Sequence, residues 1–187
     1  MLTEEGWESN IPFLPVTING HCMVTVNSTT VMVIGGVQNG QYSGKTFYFT
    51  FGEESWTEGP ELKNKRAVHS CGKIRRNKEG QEMSIIVADG YDGSYLSSVE
   101  ILDEGSNEWQ TGFELPLEIY GSQMVEDQNG GVVFIGGLTS DDDILDTLYQ
   151  LLLGGQDAVW TKMEQKMQTE RNRHTAFLIP DNFADCS

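Results

Sequence analysis

The stretch Gly90–Trp109, GYDGSYLSSVEILDEGSNEW, follows an apolar run, IIVADG, that closes on Asp89-Gly90. The same arrangement occurs twice more: VMVIGG ends at Gly35-Gly36 and VVFIGG at Gly136-Gly137. Counted from the second residue of each pair, a large side chain stands 12 positions on, at Tyr48, Leu102 and Tyr149. A tryptophan follows 20, 19 and 23 positions on, at Trp56, Trp109 and Trp160. With Trp7 included, the tryptophans are separated by 49, 53 and 51 residues. Three independent markers in one register define an internal repeat, which frames the reading of every single motif. Each short, β-branched run reads as a strand buried on both faces. The small residues that close it permit backbone conformations or close approaches that a Cβ forbids.

The repeat predicts four strands per unit. The first has strands near His21–Val26, Val31–Ile34 and Thr46–Phe51 and a fourth around Trp56. The second has His69–Ile74, Ser84–Ala88, Val99–Leu102 and Trp109, and the third Gln123–Glu126, Val132–Ile135, Leu148–Leu152 and Trp160. Asn129-Gly130 supplies a tight primed turn between the first two strands of the third unit, and Lys78-Glu79-Gly80 a longer connection in the second.

Gly90–Trp109 is very similar to a kelch repeat, and an Arg-x-x-His pattern recurs at Arg66–His69 and Arg171–His174. The resemblance covers nearly the whole chain. It implies an all-β fold, a kelch-type β-propeller with three complete four-stranded blades and a partial blade at each end. Blade one spans about 12–58, blade two about 60–111 and blade three about 113–162, with terminal strands in 1–11 (around Trp7) and 163–187 (His174–Ile179). Three positions depart from the pattern: Asp89 replaces a glycine, Leu102 a tyrosine, and Tyr120 stands roughly where an arginine is expected. Because propellers close with about four blades or more, the expectation is that the two open sides are covered. The cover is either the rest of a longer chain, of which this is a fragment, or a second copy.

Composition narrows the function classes. The chain has 187 residues with 38% hydrophobic and 10% aromatic content and 21 glycines, which fits a loop-rich globular β protein. Twelve Lys and Arg against 28 Asp and Glu give a net charge of −16, so this acidic protein is expected to bind neither nucleic acid nor anionic membrane. Met1–Asn10 has neither the basic start nor the apolar stretch of a signal peptide. A chain that begins natively there is expected in the cytoplasm, and a piece of a secreted protein outside the cell. Cys22, Cys71 and Cys186 form no CxxC pair; Cys22 and Cys71 fall on predicted inner strands, where buried free thiols are expected, although one disulfide stays open.

No catalytic motif, metal-ligand spacing or phosphate-cradling loop is present, so neither catalytic residues nor a cofactor is expected. His21, His69 and His174 share one repeat position, which fits satisfied polar residues packed against the neighbouring blade. The resemblance implies a protein-interaction module, with a protein partner held by loops on one face. Those are the connections between second and third strands, Val37–Gly44, Tyr91–Ser97 and Leu138–Asp146, and the crossings between blades, Thr57–Val68, Gln110–Gly121 and Thr161–Arg173. Arg66, Arg171 and Arg173 are its candidate cations; in kelch adaptors of cullin-linked ubiquitin ligases, arginines there bind acidic peptides. Tyr42, Tyr95 and Tyr120 are its candidate aromatics. The same superfamily offers two other readings, the substrate-receptor part of such a ligase and a remnant of a secreted copper oxidase. Asp141-Asp142-Asp143 reads as a solvated acidic loop, and the basic run Lys73–Lys78 as a solvated hairpin on the opposite face. Asn27-Ser28-Thr29 is an N-glycosylation sequon at a hairpin tip.

Overall fold

The computed structural model describes residues 11–75, 83–154 and 157–179, together with the strand pairing of 2–3 and 6–7. Lys78-Glu79-Gly80 lies outside the described residues. Three antiparallel sheets contain the predicted strands in sequence order, innermost strand a to outermost strand d. Blade one is Cys22–Thr25, Thr30–Gln38, Gln41–Thr50 and Thr57–Glu58, with Ile18–Asn19 added beside strand b. Blade two is Ser70–Ile74, Ser84–Ala88, Val99–Leu102 and Gln110–Thr111; blade three is Gln123–Glu126, Val132–Ile135, Thr147–Gly154 and Asp157–Lys166. Strand b of blade one and strands b and c of blades two and three supply most of the buried apolar side chains that fill the spaces between blades.

Several expectations are corrected. His174–Ile179 is not a strand, because an inner strand makes its ladder with strand b of its own blade, and no such strand follows among the described residues. Gly6–Trp7 pairs with Leu2–Thr3 as a hairpin rather than forming the outer edge of a blade. Val37–Gly44 is not a loop. Strands b and c of blade one run on through it to a tight turn at Asn39-Gly40, whose φ values of 50° and 75° are those of a primed hairpin turn. The outer strand of blade three extends to Lys166, through residues assigned to the terminal segment.

The paired small residues have one conformation in every blade. The first has φ of 59°, 57° and 62° at Gly35, Asp89 and Gly136, and the second 106°, 111° and 111° at Gly36, Gly90 and Gly137. Aspartate tolerates the left-handed region at the first position, whereas the second favours glycine. What the first residue faces explains the exchange. A Cβ on Gly35 would lie 2.7 Å from the His69 ring, and one on Gly136 3.1 Å from that of His174. Opposite Asp89 the histidine position is taken by Ser122, which leaves room for a carboxylate. Asp89 accepts from the Ser70 amide at 2.6 Å and hydroxyl at 3.1 Å, and from the Ser122 hydroxyl at 2.7 Å and amide at 3.2 Å, tying blade two to blade three.

His69 and His174 are not satisfied polar residues: neither ring nitrogen of either makes a hydrogen bond of good geometry. Burial, then the Arg66 charge, pulls His69 down to about 3. Burial pushes Asp89 up to about 7, against the hydrogen bonds from Ser122 and Ser70. The two have opposite signs in stability. Asp89 holds its proton more tightly when folded, so its contribution is complete below 3.8 and lost as pH rises through 7. His69 sheds its proton on folding, so its contribution is complete above 6.5 and lost as pH falls through 3. Between these limits the slopes cancel. We predict that Asp89→Asn uncovers the histidine slope, its stability relative to the parent rising by about 1.4 kcal/mol per pH unit, and that His69→Gln gives the reverse. Urea unfolding across that range checks this; parallel curves for all three proteins would contradict it.

Cys22 and Cys71 are not free thiols. They form a disulfide, with Cα atoms 6.1 Å apart, that joins strand a of blade one to strand a of blade two.

Candidate functional site

Around the inner rim, one backbone position in each crossing links successive blades. The Val68 amide donates to the Gly20 carbonyl at 2.7 Å, the Gly121 amide to Val68 at 2.9 Å, and the Arg173 amide to Gly121 at 2.5 Å. All four residues are left-handed, with φ of 61°, 53°, 71° and 49° for Gly20, Val68, Gly121 and Arg173. This open series of bonds fixes where the neighbouring side chains emerge. Tyr91 is fastened to it by reciprocal backbone bonds with Ala67, of 2.9 and 3.0 Å, and Leu96 by accepting from the Ile119 amide at 3.2 Å.

Four tyrosines from three repeats converge on this frame. The Tyr91 ring lies 5.7 Å from Tyr42, 5.6 Å from Tyr95 and 5.9 Å from Tyr120, and Tyr95 lies 5.1 Å from Tyr120. Most of these contacts are edge-to-face, the favourable arrangement of ring quadrupoles. Arg173 closes one end, its guanidinium carbon 5.2 Å from the Tyr120 centroid and its Nη2 donating to the Tyr120 hydroxyl at 3.2 Å. Together with Val37, Ala67 and Val68 they line a cleft of about 360 Å³. All four tyrosines are half-buried and Arg173 is exposed, so ring faces stay accessible on a surface held by backbone bonds. Burial, then the charge of Asp142, raises the Tyr95 phenol above its ordinary range.

The structure therefore brings together Tyr42, Tyr95, Tyr120 and Arg173, and adds Tyr91, which sequence reasoning passed over as part of the repeat motif. Its signal was the Tyr91–Tyr95 spacing within one connection. Arg66 is corrected. It is fully buried, and its fork is consumed by Glu100, Ser98 and the Asp89 carbonyl, so it braces a blade junction and offers nothing to a partner. Arg171 occupies the equivalent position, since the Gly36 amide donates to the Arg66 carbonyl and the Gly137 amide to that of Arg171. It is exposed, and its Nε donates to the nearby Thr169 carbonyl at 3.2 Å. The arginine position between blades two and three belongs to Ile119, one residue before Tyr120. Its carbonyl accepts from the Gly90 amide.

Asp141–Asp143 is exposed, and Asp142 turns the chain at φ 64°. Among the described residues, no three His, Cys, Asp or Glu side chains gather as a metal-binding group.

Comparison with known proteins agrees with this architecture. No protein-family profile matches the chain. Kelch-like protein 41b of Danio rerio is 29% identical over 137 residues, covering 72% of this chain and 21% of that protein. The chain thus spans about a fifth of that relative's length. The solved structure of YjhT superposes with a TM-score of 0.63 at 14% identity, covering 79% of this chain and 46% of that one. The chain folds as a stretch of kelch-type β-propeller, and its repeats are similar to those of a kelch-like protein.

Proposed function

We propose that this chain is a non-catalytic protein–protein interaction module whose contact surface is the tyrosine cleft. The observation that carries the reading is the convergence of Tyr42, Tyr91, Tyr95 and Tyr120 on one backbone-fastened cleft, with Arg173 at its end. Large, rigid, half-exposed rings with a polar tip and a neighbouring guanidinium are the side chains that dominate binding energy at protein interfaces. They favour an extended peptide segment that lays an apolar or aromatic side chain among the rings and turns a carboxylate toward Arg173. The narrower reading, a substrate-receptor part of a cullin-linked ubiquitin ligase, rests on the kelch-like relative alone. That protein is nearly five times the length matched here.

The test is a peptide-display selection on the whole chain. Selected peptides are expected to lose about thirtyfold in affinity on Tyr95→Ala or Tyr120→Ala. Lys73→Ala, on the opposite side of blade two, should leave affinity unchanged. Peptides indifferent to both tyrosine substitutions would place binding elsewhere, and stoichiometric copper in the purified protein would overturn the non-catalytic reading.

A further inference from the structure

We propose that Asn27 is an N-glycosylation site, used in the same oxidising compartment in which the Cys22–Cys71 bridge forms. Two independent features of one short segment meet here. The first is covalent: Cys22 is bonded to Cys71 across adjacent blades, and such bridges persist where thiols are oxidised, as in secretory and extracellular compartments. The second lies five residues further along the chain. Asn27-Ser28-Thr29 is an acceptor sequence with no proline at the middle position, and it sits between strands Cys22–Thr25 and Thr30–Gln38.

The geometry is that of an accessible acceptor. All three residues are exposed. The turn is closed by the Val26 and Asn27 amides donating to the Thr30 carbonyl at 2.8 and 3.3 Å. The Asn27 Oδ1 accepts from the Thr29 amide at 2.9 Å and from the Thr29 hydroxyl at 3.1 Å, so the third residue of the sequon is already bonded to the asparagine side chain. Those bonds engage Oδ1 and not Nδ2, the atom that takes the sugar. In the transfer, Nδ2 forms a bond to C1 of the first sugar of a polyprenyl-diphosphate-linked oligosaccharide. The C1–oxygen bond breaks, the diphosphate leaves with the electron pair, and the amide proton is released. Because turns between strands a and b point away from the connections that carry the tyrosines, a glycan at Asn27 leaves the cleft open.

The experiment uses the protein from the cells that produce it, digested without reduction and treated with a peptide N-glycosidase in heavy-oxygen water. Residue 27 is expected as aspartate carrying heavy oxygen, alongside a peptide pair joined through Cys22 and Cys71. The glycosidase-sensitive mobility shift should vanish in Asn27→Gln and in Thr29→Ala and persist in Ser28→Ala. Recovery of the peptide with Asn27 unmodified before glycosidase treatment overturns the proposal, as does a shift that survives Asn27→Gln.

Discussion

Replacing Arg66 by alanine is expected to destabilise the chain by about 3–5 kcal/mol, the usual cost of removing one partner from a buried ion pair. Arg66 and Glu100 have side chains 0% and 1% exposed and meet at 3.0 Å. The guanidinium also donates to the Asp89 and Ser98 carbonyls and the Ser98 hydroxyl, each at 2.9 Å. Glu100 in turn accepts from the Lys63 and Asn64 amides at 2.7 and 2.9 Å. Truncating Arg66 leaves a buried carboxylate without its cation and takes a donor from each of the Asn64, Asp89 and Ser98 carbonyls. Burial draws the Arg66 pKa down, and the Glu100 charge and hydrogen bond draw it back up. Hence the double change Arg66→Met with Glu100→Leu is expected to cost much less than the sum of the two singles. Urea denaturation of the four proteins measures the coupling. A loss below about 1 kcal/mol for Arg66→Ala would show that the brace contributes little.

That arginine marks where sequence reasoning stops. An Arg-x-x-His motif places the residue on a crossing between blades. Whether its fork meets solvent or Glu100, 34 residues away, depends on how the next blade packs. The strands were legible because burial on both faces forces unbroken apolar runs such as Ile85–Ala88, and because the left-handed pair that ends them nearly always demands glycine. The exception carried its own explanation, since aspartate at 89 goes with serine rather than histidine at 122. The cleft was legible in part. Topology put Tyr42, Tyr95 and Tyr120 on one face, but Tyr42 joins the other two through Tyr91, whose position follows from its bonds to Ala67. Nor does spacing pair Cys22 with Cys71, because their approach depends on the angle between neighbouring inner strands.

Trp109→Ala is expected to cost about 3–5 kcal/mol, the range for removing a fully buried large aromatic side chain. The three repeat tryptophans do one job in different degrees. Each indole nitrogen donates to a carbonyl of an earlier segment: Trp56 to Pro12 at 3.0 Å, Trp109 to Pro60 at 2.9 Å and Trp160 to Phe113 at 2.8 Å. Packing grades them. Trp109 is 0% exposed, in a cluster with Met32, Ile34, Leu62 and Val87 that fills the space between blades one and two. Trp160 is 9% exposed and meets Phe134 edge-on, whereas Trp56 is half-buried against Phe49. Alanine at the three sites should therefore cost most at 109, less at 160 and least at 56. Trp109→Phe, which keeps much of the packing and leaves the Pro60 carbonyl its bond from the Thr46 hydroxyl at 2.9 Å, should cost much less than Trp109→Ala. Thermal and urea unfolding of the series reads the order directly. Equal losses at all three sites would mean that the carbonyl bond rather than the filled space between blades sets the tryptophan's contribution, and a loss under about 1 kcal/mol at 109 would separate the repeat from the stability of the blades.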